Sequence, residues 1–560
     1  MIDPVNAPRQ PSCTGEKTWF TRAARYQQPV TIGIAVICFC IIAIGPLIAL
    51  MPSTAGIHDI LCRWDRFVGI KPLTFMLNGV GVGFISAVVA LGLGVPAGLV
   101  IGQKARPFHA LWPVLFFLPL AIPPYLAASC WIALTGRNGI LPDMVVHLLS
   151  FDPGAPWLSG WSGSGIILGA CYFPIPLFLV ISGLKAQDPA HEEAALFSMT
   201  PWQTLRKISL PLLLPHLSTA GLIVFLMGMT NYSVPSLLGV RTMTVKIFSF
   251  FSIYKDPTGA TALAFPMLAI GGLSAVLLHR LTRNRAFFSL DRGGPTVEIA
   301  RFFLHPAFRI PAISIPVVIT SAPVLYLTWK TGSLQNLGLA VQQIEHSVLK
   351  TCVLAALGSL CLSLLALVLG YAIDRLAHLR KGWLSALFFL PFCLPSVLLG
   401  IGIIYQWNQL PTQWVYSSSV IIVILWGAKY LPLAQRLAAD HMKQIPVEFE
   451  AAASLSGLTW FNIAARILWP LSRPGFLVVW ATTYIFCISE LGGTLLVIPP
   501  GADTLPVRLF NMMHYGSSSM VAALGLLMIG LTALPLLLMA VYGRIVQPFP
   551  ATAQPTRNND

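Results

Sequence analysis

Charge is what this chain has least of. Of 560 residues, 10% are Asp, Glu, Lys or Arg, whereas 56% are apolar and the mean hydropathy is +0.75. Soluble domains carry roughly 25% charged residues, so a soluble globular protein is excluded. No GxxxxGK[ST] phosphate loop occurs, and nucleotide is not cradled by that route. There is no HExxH, and the eleven histidines are scattered with no obvious acid-histidine ligand cluster within one loop, which leaves no metal centre to name. The ten cysteines form no CxxC pair and fall mostly in apolar runs, where they pack as small apolar side chains. No disulfide and no cofactor is expected. A catalytic cluster at water-accessible depth is also missing, which argues against an integral membrane enzyme.

What the chain has instead is length in apolar runs. A bilayer core about 30 Å thick needs about 20 apolar residues per helix. Twelve runs qualify: 30–50, 79–101, 110–134, 163–184, 212–229, 261–281, 310–328, 347–373, 382–405, 415–433, 476–498 and 520–542. The first follows about thirty polar residues, a leader too long for an ordinary signal peptide, and reads as an uncleaved span. The net charge of +15 points to the membrane rather than to nucleic acid. Its basic residues concentrate in short loops that an inside amino terminus places in the cytoplasm: Lys17, Arg22 and Arg25; Lys104 and Arg106; Arg280 to Arg309; Arg375, Arg380 and Lys381. This is the positive-inside pattern, with Arg63, Arg66, Lys71 and Lys330 as outnumbered exceptions.

The runs form a tandem repeat. FFLPLAIPP (116–124) returns 272 residues later as FFLPFCLPS (388–396), and the prolines in each copy predict a bent or opened third span. HEEAALFSMTPWQTLRKISLP (191–211) returns 259 residues later, ending at Pro470. Each copy is a Glu-Ala-led helix signal between apolar runs, closing on a proline that restarts the next run. Trp202, Leu205 and Ile208, and likewise Trp460, Ile463 and Ile467, give it an apolar stripe. An interfacial helix lying on headgroups would share these features. The expected fold is an all-α polytopic membrane protein of about twelve transmembrane helices, built as two parallel-repeat six-helix halves related by an axis along the membrane normal. The expected domains are a tail 1–29, a first half 30–281, a basic linker 282–309, a second half 310–545 and a tail 546–560. Both tails are expected in the cytoplasm.

The two Glu-Ala stretches resemble the cytoplasmic signature of the permease subunits of ATP-binding-cassette importers: Glu-Ala-Ala, three residues, Gly, then a hydrophobic and Leu-Pro. In the second copy Gly457, Ile467 and Pro470 fall in register, while the acid Glu450 stands one place early before Ala451, Ala452 and Ala453. In the first, Glu192 holds the acid position, Glu193 replaces the first Ala ahead of Ala194 and Ala195, Ser198 replaces Gly, and Ile208, Leu210 and Pro211 agree. Ser takes positive φ less freely than Gly. The fused tandem length is similar to the iron(III) permeases, with the tail ELGGTLLVIPPGADTLPVRLFNMMHYG (490–516) carrying that likeness. Permeases for thiamine, aminoethylphosphonate or polyamines are alternatives. The resemblance implies a type I permease fold in a bacterial inner membrane. It also implies two ATP-binding cassette ATPase subunits gripping the loops and an external substrate-binding protein.

Inside the membrane the sharpest candidate is Glu490, and the offset of 259 pairs it with Asn231, beside Tyr232. A carboxylate at bilayer depth costs about 2.5–3.5 kcal/mol and normally faces a cavity or a partner. Glu490 and Asn231 are therefore expected to face each other across the path. A position near the outer interface, bonding only to neighbouring helices, is the alternative. TMTVKIF (242–248) and TLPVRLF (504–510) read as outer-mouth segments, with His514 the one histidine to test there. A secondary transporter of twelve spans is the competing class, but it needs ionisable residues in several spans. The sequence reads as offering essentially one, Glu490, with Asp374 at a span end.

Overall fold

The computed structural model describes residues 28–51, 72–102, 112–137, 139–149, 158–185, 194–282, 305–376 and 387–545. Glu192, Glu193, the tails up to 27 and from 546, and the linker between 283 and 304 lie outside them. Among the described residues there is no strand. Among the described residues nine helices are long and apolar enough to cross a bilayer, and three bent pairs, each counted as one span, raise the number to twelve, one for each expected run.

The prolines bend both third spans. Leu115–Ala121 meets Pro124–Met144 at 94°, and Leu387–Cys393 meets Ser396–Trp407 at 112°. Pro123 and Pro395 donate no N–H and push the preceding residue out of the helical region. Each elbow is held by the next turn, in which Leu126 and Ala127 donate to the Pro123 carbonyl and Leu398 and Leu399 to that of Pro395. The fourth spans differ between the halves. The first is broken by 44° between Gly160–Tyr172 and Pro174–Lys185, whereas Val420–Met442 runs unbroken.

At Pro211 and Pro470 the structure corrects the expectation. The fifth spans do not restart there; they begin at Trp202 and Trp460 and run through to Met229 and Ser489. A single π-turn, Leu205–Ser209 in one half and Ala464–Leu468 in the other, ends two residues before each proline. In it the Leu210 and Trp469 amides reach back five residues to the Leu205 and Ala464 carbonyls. The wider turn accommodates the missing donor without breaking the helix. The same device, Cys40–Ile44 ahead of Pro46, appears in the first span. The apolar stripe from Trp202 and Trp460 therefore belongs to the opening turns of the fifth spans, and the loop helix is a separate, shorter element.

The two halves exchange their leading spans. The first span, Gln28–Ala49, packs on the second half: Phe39 meets Phe388 edge to face at 4.9 Å, and the Gln406 side-chain amide donates to the Ile41 carbonyl at 3.0 Å. Gly402 lies so close to the Pro46 carbonyl that a Cβ there would collide with it. The seventh span, Pro306–Thr331, packs reciprocally on the second span and elbow of the first half. Each half thus covers the other's elbow.

Candidate functional site

The two elbows and the exits of the two fifth spans converge on one cavity of about 80 Å³. A water needs about 10–15 Å³ of such space, so several fit. From the first half come Pro119, Ile122 and Pro124 of the elbow, Tyr172 at the break in the fourth span, and Thr230 to Ser233. From the second come Phe392 and Ser396 of the elbow, Lys429 and Tyr430 of the fourth span, and Ser489 to Gly492. Asn231, Tyr232 and Glu490 are therefore brought to the lining of one cavity.

Asn231 and Glu490 build the same turn. Asn231 Oδ1 accepts from the Val234 amide at 3.0 Å and from Ser233 Oγ at 3.2 Å. Glu490 Oε1 accepts from the Gly493 amide at 3.0 Å, the equivalent bond, while Oε2 accepts from the Thr494 amide and hydroxyl. The expected eleventh span to residue 498 in fact ends at Ser489, because this carboxylate satisfies the amides of the following turn in place of helical carbonyls. Glu490 is 5% exposed and sits at the span exit rather than within the helix. Asn231 Nδ2 also donates to the Tyr172 hydroxyl at 3.4 Å, and Tyr232 stacks on Phe248 at 4.5 Å. His514 does not line this cavity; its ring packs on Phe510.

Lys429 is the residue that sequence reasoning missed. It sits in the middle of the tenth span, 7% exposed, and its ammonium donates to the carbonyls of Phe392 at 2.8 Å and Leu394 at 2.5 Å. Those carbonyls flank the second elbow, so Lys429 answers acceptors that the bend leaves without helical donors. The reading that Glu490 is essentially the one ionisable group at depth is corrected. The available signal was a lone lysine inside VIIVILWGAKYLPLA, costly enough at such depth to demand a partner.

At the other end of the fifth spans lie the loops. In the second half Val447–Leu455 is a nine-residue helix with Glu448 and Glu450 in its first turn, favourable against the helix dipole. Gly457 ends it at φ +78°, a left-handed conformation that glycine adopts without a Cβ penalty. Thr459 then caps the fifth span by accepting from the Asn462 amide. In the first half Ser198 has no positive φ; its amide and that of Met199 both bond to the Ala195 carbonyl instead. Thr200 repeats the cap reciprocally with Gln203, a capping box.

Glu450 does not point outward. Its carboxylate accepts from Arg375 Nε at 2.7 Å and from the Tyr371 hydroxyl at 2.9 Å, both on the eighth span. The Tyr371 hydroxyl in turn accepts from Gln28 and from the Trp460 indole, so one oxygen ties the first, eighth and eleventh spans to the loop helix. Exposed on that loop are Ala451, Ala452, Phe449, Leu455 and Phe461, the last three at 50%, 88% and 66%. The first loop exposes Ala194, Leu196, Phe197 and Ser198, with Ala195 buried.

Comparison with known proteins agrees with this arrangement. Residues 94–287 match the family described as binding-protein-dependent transport system inner membrane component. The ferric transport system permease protein FbpB of Actinobacillus pleuropneumoniae is 22% identical over 473 residues, 80% of this chain and 68% of that protein. The thiamine transport system permease protein ThiP of Brucella abortus is 24% identical over 538 residues, 92% of this chain and 95% of that one. A Salmonella typhimurium protein named for 2-aminoethylphosphonate transport, PhnV, is 30% identical over 194 residues, 33% of this chain and 71% of its own length. A repeat of bent third spans around a shared polar cavity, in a chain with these relatives, is a fused type I permease: the protein belongs to the binding-protein-dependent transport system inner membrane component family.

Proposed function

We propose that the chain is the transmembrane subunit of an ATP-driven importer that takes a small solute from an external binding protein. On this reading, two ATPase subunits grip the loops around Ala194, Ala195, Ser198 and Pro211 and around Glu450, Ala451, Ala452, Gly457 and Pro470. The observation that carries it is the matched pair of loops, each presenting exposed small and bulky apolar side chains beside a span that leads directly to the central cavity. An exposed apolar patch of this kind is the mark of a docking site. The halves 30–281 and 310–545 would rock about the axis through that cavity, with both tails in the cytoplasm and Glu490, Asn231 and Tyr232 along the path. ATP has to be hydrolysed in trans, because the chain carries no phosphate loop.

Iron(III) is the first cargo to test, on the strength of the likeness to the ferric permease. Thiamine is the second, because the thiamine permeases match 92% of this chain. Purification in detergent tests the machinery: an ATPase subunit retained by the wild type and lost on Gly457→Arg supports it. Failure of photo-crosslinks from both Ala194 and Ala452 to reach an ATPase in intact membranes would refute it. Uptake of labelled ferric ion against labelled thiamine then decides the cargo.

A further inference from the structure

Lys429 is a charged group in the cavity lining that no carboxylate touches, although Glu490 lines the same cavity and acts on it electrostatically from beyond contact distance. Among the described residues no Asp or Glu oxygen lies within 4.0 Å of its ammonium, and its two bonds go to neutral carbonyls. Carbonyl oxygens orient the ammonium but leave its charge whole, with a third N–H still to give. Glu490, in the same lining, has both oxygens occupied by donors of its own turn. A charge at this depth with no counter-charge in contact marks a functional site. Tying the elbow does not require it: 258 and 259 positions earlier, in the first half's fourth span, stand Cys171 and Ala170, and that elbow bends without an ammonium. Hydroxyls surround the same space. Ser396, Ser489 and Tyr430 line it, and the Ser489 Oγ is buried with no hydrogen-bond partner.

We propose that this cavity is a solute-binding station that holds the passing solute by an anionic oxygen group, a phosphonate, phosphate or carboxylate, seated against Lys429 with the Ser489 hydroxyl as a second donor. The proposal rests on the reading of the chain as a solute path and narrows it. A bare cation is disfavoured beside Lys429, so iron(III) would pass only as a complex keeping an oxyanion ligand, and thiamine would not bind here.

Equilibrium binding to the purified full-length chain in neutral-lipid nanodiscs tests this, with labelled 2-aminoethylphosphonate, citrate, ferric citrate and thiamine as probes. At least one oxyanion probe should bind saturably to the wild type and be displaced by excess unlabelled probe. Lys429→Met should weaken it about tenfold or more, the scale of a lost hydrogen bond to a charged group, while Lys429→Arg keeps it within about threefold and Ser489→Ala falls between. Should Lys429→Met fail to fold, Ser489→Ala and Lys429→Arg decide the matter. Absence of oxyanion binding to the wild type, equal binding to Lys429→Met, or thiamine binding insensitive to Lys429 overturns the site. A chain that retains an ATPase partner but binds no oxyanion refutes this station alone and leaves the importer reading intact.

Discussion

Replacing Arg375 with Met should release the second loop helix without unfolding the bundle. A nine-residue helix is too short to persist in water by itself, and most of Val447–Leu455 faces solvent, with Ala453 its buried residue. Its order must come from the Glu450 clamp. Arg375 and Glu450 are 10% and 14% exposed, and the guanidinium also bonds Asp374 at 2.9 Å and the Ile445 carbonyl at 2.8 Å. Removing one partner of a fully buried pair costs about 3–5 kcal/mol. Here the orphaned carboxylate keeps its bond to Tyr371 and lies near water, so about 2 kcal/mol is the appropriate figure, close to that for one charged hydrogen bond. Hydrogen exchange reads this directly, because 2 kcal/mol corresponds to amides opening about 30-fold more often. Amides of residues 451–458 should exchange about 30-fold faster in Arg375→Met and in Glu450→Gln, and the double variant should be little worse than Arg375→Met alone, since the Arg375–Glu450 bond is common to both. Unchanged exchange, or effects that add in the double variant, would refute the clamp.

Other outcomes follow from single contacts. Gly402→Ala should lower the thermal midpoint in detergent by an amount equivalent to about 1–3 kcal/mol, because its Cβ meets the Pro46 carbonyl; Gly530→Ala, with open space around it, should not. Thr459→Ala should cost about 1 kcal/mol at the start of the eleventh span, seen as faster exchange of the Asn462 amide with the cavity unaffected. Glu490→Gln replaces one of two acceptor oxygens by a donor, which leaves either the Gly493 or the Thr494 amide without its acceptor, so it should loosen residues 490–497 and reduce uptake with assembly normal. Wild-type uptake in both Glu490→Gln and Asn231→Ala would remove these side chains from the path.

Much of this architecture was legible because it is written locally and twice. The elbows follow from Pro123 and Pro395, whose rings forbid the helical bond wherever they stand, and the repeat offset carried Glu490 onto Asn231 and onto the same turn. What was not legible depends on how the helices meet. No local signal tells that the first span lies on the second half, since Pro46 and Gly402 declare their closeness only in three dimensions. Pro211 and Pro470 were read as restarts because a proline usually ends a helix, yet a π-turn two residues earlier lets the helix pass. Lys429 was overlooked among apolar neighbours, since its partners are carbonyls exposed by a bend 35 and 37 residues away. The clamp on Glu450 has no signal in the loop pattern either, since it comes from Tyr371 and Arg375 on the eighth span.

In the proposed function, nucleotide hydrolysis by a partner drives solute through the cavity shared by the two halves. Proteoliposomes holding the chain with the proposed ATPase and binding-protein partners test it most directly. Uptake should require ATP on the loop side and continue when every ion gradient is collapsed. Uptake that persists with ATP exhausted, driven by an ion gradient alone, would contradict it.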